Sequence, residues 1–224
     1  MTKQTLLAAM LAATAFAANA GTTTTTSHTV VVDNFNTGDQ SISYGAGSAI
    51  GTKNSDTNSI RTLTSTLLTS SPPVQALAQV NSGVLDITNG SGENTNVVVS
   101  WDLSANLLPT SAMDTMFSMM VVQSDANPTS MVFALDGKII GDYSLPGNVN
   151  NQIYSFDLGG FDLSSGGTLT MTLNGSDGWD MTLDSLGISY DTQVNNVPEP
   201  ASLALVGISL LGMGAARRAK RARV

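Results

Sequence analysis

The chain has 224 residues and a mass of 23.1 kDa, which suits one domain with short appendages and excludes a large multidomain enzyme. Charged residues are 12% of the chain, against about 25% in ordinary soluble proteins, and cysteine is absent, which excludes disulfides, thiolate metal sites, iron–sulfur clusters and cysteine nucleophiles together. The net charge of -8 hides a contrast: from Gly21 to Asn196, three cations (Lys53, Arg61 and Lys138) face fifteen Asp and one Glu, and the resulting -13 argues against nucleic acid or anionic lipid as a partner.

Residues 1–20 have the layout of a secretory signal helix. Lys3 supplies the basic start, Leu6 to Phe16 the apolar stretch, and Ala18-Asn19-Ala20 the small residues that signal peptidase needs at its cleavage positions. Cleavage is expected after Ala20. A buried helix would show a polar face, whereas Leu6 to Ala18 carries only Thr14. Residues 21–29, with five consecutive threonines, have no apolar pattern and read as a flexible leader.

From residue 30 to 190 the hydrophobic period is two. It is clearest in Ile60 to Leu67, in Thr168-Leu169-Thr170-Met171-Thr172-Leu173 and in Met181-Thr182-Leu183. Further strands are predicted at 29–35, 84–87, 96–102, 116–122, 130–135, 138–145, 153–158 and 185–190, separated by turn residues. Asp136-Gly137 between two apolar runs is the strongest hairpin signal, because both residues tolerate the positive φ of a type I′ turn. Pro72-Pro73 should lie in a loop or on an edge. About ten short strands without a convincing helix predict an all-β, antiparallel β-sandwich of jelly-roll type. Residues 191–196 are polar and read as a linker.

Val197-Pro198-Glu199-Pro200 precedes sixteen uncharged residues, Ala201 to Ala216, and then Arg217, Arg218, Lys220, Arg221 and Arg223. Sixteen helical residues reach about 24 Å, a marginal single transmembrane helix if the flanking arginines snorkel. The basic end holds the C-terminus in the cytoplasm and acts as the stop, leaving the body outside. Residues 197–224 resemble the PEP-CTERM sorting signal of Gram-negative bacteria, with Val197 to Ser202 matching its usual wording. The resemblance implies that Pro198, Glu199 and Pro200 are a substrate motif. A membrane-embedded exosortase would cut there and release or transfer the protein, often in cells that make exopolysaccharide. Asp33-Asn34-Phe35 and Trp179 to Leu186 are also similar to the end strands of secreted PEP-CTERM proteins and of jelly-roll carbohydrate-binding modules. In such modules those strands pair beside a structural calcium, which makes Asp33 and Asp184 candidate calcium ligands and calcium the one candidate cofactor.

Catalytic patterns fare poorly. The lone histidine, His28, falls in the leader, where it is a poor base for a serine triad. Glu93 is the body's only glutamate and sits in a turn, although an Asp pair for glycoside hydrolysis stays open. Gly45 to Gly51 spaces its glycines wrongly for a dinucleotide loop and reads as a turn. Asn174 to Asp180 opens like a calcium loop, but EF-hand spacing would place Ser185 where a bidentate glutamate belongs. Trp101, Trp179 and the methionines of 113–120 read as core. Alternating surface Thr and Ser lack the regular repeat of an ice- or matrix-contacting face.

The sequence reading is therefore a non-catalytic exported protein. It passes through signal peptidase, an inner-membrane-anchored intermediate and exosortase to the cell surface, the extracellular matrix or the medium, with polysaccharide as the candidate partner. The alternatives are a calcium-assisted carbohydrate-binding module and a secreted glycan hydrolase. Exposed aromatics along one sheet would favour the module; facing carboxylates in a cleft would favour the hydrolase.

Overall fold

Threonine alternating with leucine, valine and methionine forms strand because β-branched and apolar side chains suit a pleated surface buried on one face. The computed structural model describes residues 22–44, 46–48, 52–53, 59–158 and 163–196. Its strands are β1 (Thr22–Asp33), β2 (Gln40–Ser43), β3 (Ala46–Ser48), β4 (Thr52–Lys53), β5 (Ile60–Thr69), β6 (Leu77–Asn81), β7 (Val84–Thr88), β8 (Asn94–Leu103), β9 (Met113–Ser124), β10 (Thr129–Leu135), β11 (Lys138–Leu145), β12 (Asn150–Asp157), β13 (Gly167–Gly175) and β14 (Met181–Asn196). Among the described residues none is helical. The predicted signal helix and transmembrane helix fall outside them.

Two seven-stranded sheets result. One runs β12-β9-β14-β7-β6-β2, with β1 also paired to β14; the other runs β11-β10-β13-β8-β5-β3, with β4 also paired to β5. From β8 onward the chain repeatedly crosses between sheets, the habit of a jelly roll. Ser27–Thr192 forms one unit and holds the core, whereas of the unit comprising Met1–Thr26 and Gln193–Val224 the structure describes the extended residues 22–26 and 193–196.

The core follows parity. On β8 the inward residues Val97, Val99 and Trp101 are buried and Val98, Ser100 and Asp102 turn out; on β13 the inward residues are Leu169, Met171 and Leu173. They meet Phe117, Met119 and Val121 of β9 and Leu186 and Ile188 of β14 in one apolar cluster. Each such side chain contributes roughly 1.5–3 kcal/mol relative to exposure. The outer face of the second sheet is hydroxyl-rich, Thr62 of β5 and Thr170 of β13 flanking Ser100 of β8 in register. At the β10–β11 hairpin Asp136 (φ 49°) and Gly137 (φ 79°) both take the expected positive φ.

Several expectations need correction. The leader and the linker are strand: β1 starts at Thr22 and β14 runs unbroken to Asn196. The absence of apolar alternation did not prevent this, because first and last strands pair through the main chain, and consecutive threonines favour extended backbone. His28 of β1 stacks on Tyr190 of β14 (ring centroids 5.1 Å apart) and hydrogen-bonds Thr192 Oγ1 at 2.9 Å. Within the predicted Gly45–Gly51 turn, Ala46–Ser48 pairs with β5 as β3. Of the methionines at 113–120 only Met119 is fully buried; Met113, Met116 and Met120 are half-buried.

Candidate functional site

Two polar arrangements inside the sandwich fix its shape. Arg61 shares inward parity with Leu63 on β5 and is 0% exposed. Its Nη1 donates to Asp33 Oδ2 at 2.7 Å, its Nε to Gln40 Oε1 at 2.8 Å, and its Nη2 to the carbonyls of Thr37 and Gly38. The guanidinium also lies over the Phe35 ring, 5.6 Å from its centroid. Asp33 accepts in addition from Trp101 Nε1 at 2.7 Å and from the Phe35 N–H at 2.8 Å. A buried ion pair is tolerable only when its remaining donors and acceptors are satisfied in this way.

Near the other tryptophan, turn chemistry closes a loop. Buried Glu93 accepts the N–H groups of Gln75 (2.8 Å) and Gly90 (2.7 Å). Trp179, also 0% exposed, donates Nε1–H to the Thr95 carbonyl at 3.1 Å, while Asn89 donates to the Trp179 carbonyl and accepts from Thr95 Oγ1. This network aims Asp180 outward.

Beside it, where β7 and β9 end and β14 begins, lies a cleft of about 290 Å³. Asp86, Asp125 and Asp180 line it together with Gln123, Ser124 and Thr182. Register brings the polar side chains together: Gln79 of β6 is opposite Asp86 of β7, Asp86 is opposite Thr182 of β14, and Thr182 is opposite Gln123 of β9. Asp86 accepts from Thr182 Oγ1 at 2.9 Å and from Gln79 Nε2 at 3.4 Å. Asp125 accepts from the Asn127 N–H and side-chain amide, at 3.1 and 2.6 Å, and Asp180 accepts the Asn89 N–H at 2.7 Å. The result is a row of amide, hydroxyl and carboxylate groups across four strands, of which Gln79, Asp86 and Thr182 are joined by hydrogen bonds.

Burial pushes the Asp180 carboxyl above the usual aspartate range; the negative charges of Asp125 and Asp86 push the same way, and the Asn89 N–H opposes them. A carboxyl raised in this way holds its proton in the folded chain at a pH where the unfolded chain has lost it. Stability therefore falls as pH rises from the ordinary aspartate value through the folded one, and the penalty is complete above both. Asp180→Asn is expected to melt above the wild type at neutral pH, with the gap closing on acidification below the aspartate range. Identical melting profiles across that range would refute this assignment of strain to Asp180.

The sequence candidates land in different places. Asp33 is engaged by Arg61 and Trp101 in the core, and Asp184 is half-buried on β14, outside the lining of the acidic cleft. Among the described residues no group of three or more His, Asp or Glu side chains is arranged to hold a metal ion. Ala18, Ala20, Pro198, Glu199, Pro200, Arg217, Arg218, Lys220, Arg221 and Arg223 lie outside the described residues. Sequence reasoning did not single out Asp86, Asp125 or Asp180 as a site. The one available signal was Asp86 at outward parity between buried Leu85 and Ile87.

Two antiparallel sheets packed on a shared apolar core make this an all-β sandwich protein. Residues 196–221 match the PEP-CTERM protein-sorting motif, so the chain is an exported protein with a C-terminal sorting signal. No curated protein matches it. Solved structures similar to it include a variant of a family 29 carbohydrate-binding module (TM-score 0.37, 11% identity, 73% of this chain and 92% of that one). A family 11 carbohydrate-binding module from Clostridium thermocellum, in complex with a β-1,3-1,4-mixed-linked tetrasaccharide, is another (TM-score 0.35, 10% identity, 71% and 94%). PfGH50B is a third (TM-score 0.36, 9% identity, 60% of this chain), and there the match spans 23% of the other chain. The sandwich is defined by its own strand order rather than by these low scores.

Proposed function

We propose that this is an exosortase-processed protein of the cell surface or extracellular matrix whose sandwich holds polysaccharide without cleaving it. The observation that carries the reading is the sorting motif at 196–221. The polar row Gln79-Asp86-Thr182-Gln123 supports the second half, because side-chain amides and carboxylates offer paired hydrogen bonds to neighbouring sugar hydroxyls. Both tryptophans are buried, so on this row the contact would rest on hydrogen bonds and not on tryptophan stacking. The full chain in mild detergent is expected to be retarded in native gels containing polysaccharide from the producing cell. Gln123→Ala and Asp86→Ala together should lower that retention at least tenfold. Retention unchanged by the pair would remove the cleft from the account.

One observation favours a second reading. Asp180, with its raised carboxyl, shares a cleft with two further carboxylates, the arrangement a glycan hydrolase needs for its acid. Appearance of reducing ends in the same polysaccharide, abolished by Asp180→Asn, would establish hydrolysis in place of simple retention.

A further inference from the structure

β14 stays strand to Asn196, the residue at which the matched sorting motif begins. β9 ends at Met113, opposite Asp191, so among the described residues no strand pairs that edge of 193–196. The other edge belongs to β1. His28 lies against Tyr190 and Thr192, while a Cβ added to Gly187 would meet the Thr29 methyl at 3.7 Å and the Val30 carbonyl at 3.4 Å. Partners thus fall along β14 as positions rise along β1. The pair is antiparallel, and the threonine run of residues 22–26 accompanies the end of β14. Threonine favours extended backbone even where a strand buries nothing, and Thr23, Thr24, Thr25 and Thr26 are exposed. Open edges are usually blunted by charge or proline. Neither 22–26 nor 193–196 carries either, in a body of net charge -13.

We propose that the open edge of 193–196 is the surface on which the exosortase docks, by laying a strand of its own beside it, and that the threonine run of β1 is the splint that holds this edge extended beforehand. This rests on the reading that exosortase processes the chain, and it names how the enzyme engages it. The occupant follows from where the strand leads. Among the described residues the outer edges of β1 and β12 are open as well, but neither strand continues into the motif. Strand addition takes its affinity from main-chain hydrogen bonds, so an uncharged segment without large apolar anchors suits it. A loose peptide must be ordered as it docks, which weakens binding roughly tenfold for each residue fixed. Residues already paired with β1 avoid that loss.

The test breaks the splint and leaves the motif untouched. Main-chain N–H groups point alternately to the two sides of a strand, so prolines at two successive positions remove a bond to β14 whatever the register. In a cell that makes exosortase, the full chain with Thr24→Pro and Thr25→Pro is expected to be trimmed at least tenfold more slowly than wild type, followed by mass spectrometry. Thr24→Ser with Thr25→Ser keeps both N–H groups and should be trimmed at the wild-type rate. Melting followed by circular dichroism should be unchanged in the proline pair. If it is lowered, Thr24→Gly with Thr25→Gly takes its place, with a smaller slowing expected. A photo-crosslinking benzoylphenylalanine in place of Gln193 should capture exosortase, and one in place of Ile153, 66% exposed on the β12 edge, should not. Trimming of the splint variant at the wild-type rate or faster, or equal capture from both positions, overturns the proposal. Equal trimming of the wild type in a cell lacking exosortase would instead remove the reading beneath it, and the proposal with it.

Discussion

Asp33→Ala is expected to lower stability by about 3–5 kcal/mol, because it leaves the Arg61 guanidinium buried without its counter-charge. That is a large part of the roughly 5–15 kcal/mol available to a domain, and in one of this size it corresponds to a fall in Tm on the order of 10 °C. Trp101 loses the acceptor of its Nε1–H in the same step. Asp33→Asn keeps an acceptor and should fall in between, and combining it with Arg61→Met should recover part of the loss, since the stranded charge is gone. A Tm for Asp33→Ala within a degree or two of wild type would show that the pair contributes little. The same variant separates two roles for the carboxylate. If it serves Arg61, the deficit is equal in calcium and in sodium chloride of matched ionic strength; if it holds calcium, the deficit grows with calcium concentration.

The second large effect concerns export. Pro198-Glu199-Pro200 lies within the matched sorting motif, and Glu199 is its one charged side chain. Glu199→Ala in a cell that makes exosortase is expected to abolish processing and leave the whole of residues 21–224 in the membrane fraction. Glu199→Asp, which keeps the charge on a shorter arm, should be trimmed slowly. Mass spectrometry of the retained and released protein decides the matter: trimming of Glu199→Ala to the wild-type mass at the wild-type rate would show that another feature is recognised.

The strand pattern was readable because alternation is local. Asp136-Gly137 named its own turn, and Trp101 sits among valines in a run that could only be one strand of a sheet. The strands β2 and β6 escaped notice because Gln40–Ser43 holds a single apolar residue, Ile42, and Leu77–Asn81 buries the small Ala78 beside Val80. Arg61 was open to a closer reading. In Ile60-Arg61-Thr62-Leu63 the charged residue shares the parity of the leucine, and an inward arginine requires a buried carboxylate, the role that Asp33 fills. The cleft was beyond local reading, since Asp86, Asp125 and Asp180 come from separate segments and meet only through the pairing of β7, β14 and β9.

The complete burial of both tryptophans sets what can be seen by light. Shielded indoles emit at short wavelength and are screened from soluble quenchers, so emission from this chain reports the core. Each indole is also anchored at its nitrogen, Trp101 on Asp33 and Trp179 on the Thr95 carbonyl. A red shift therefore marks breakage of the core and serves as an unfolding signal for every substitution above. Polysaccharide seated on the Gln79-Asp86-Thr182-Gln123 row touches neither ring, and its arrival should leave the emission unchanged. Binding of polysaccharide to that row, as proposed, is therefore better followed by mobility, mass or heat than by tryptophan emission.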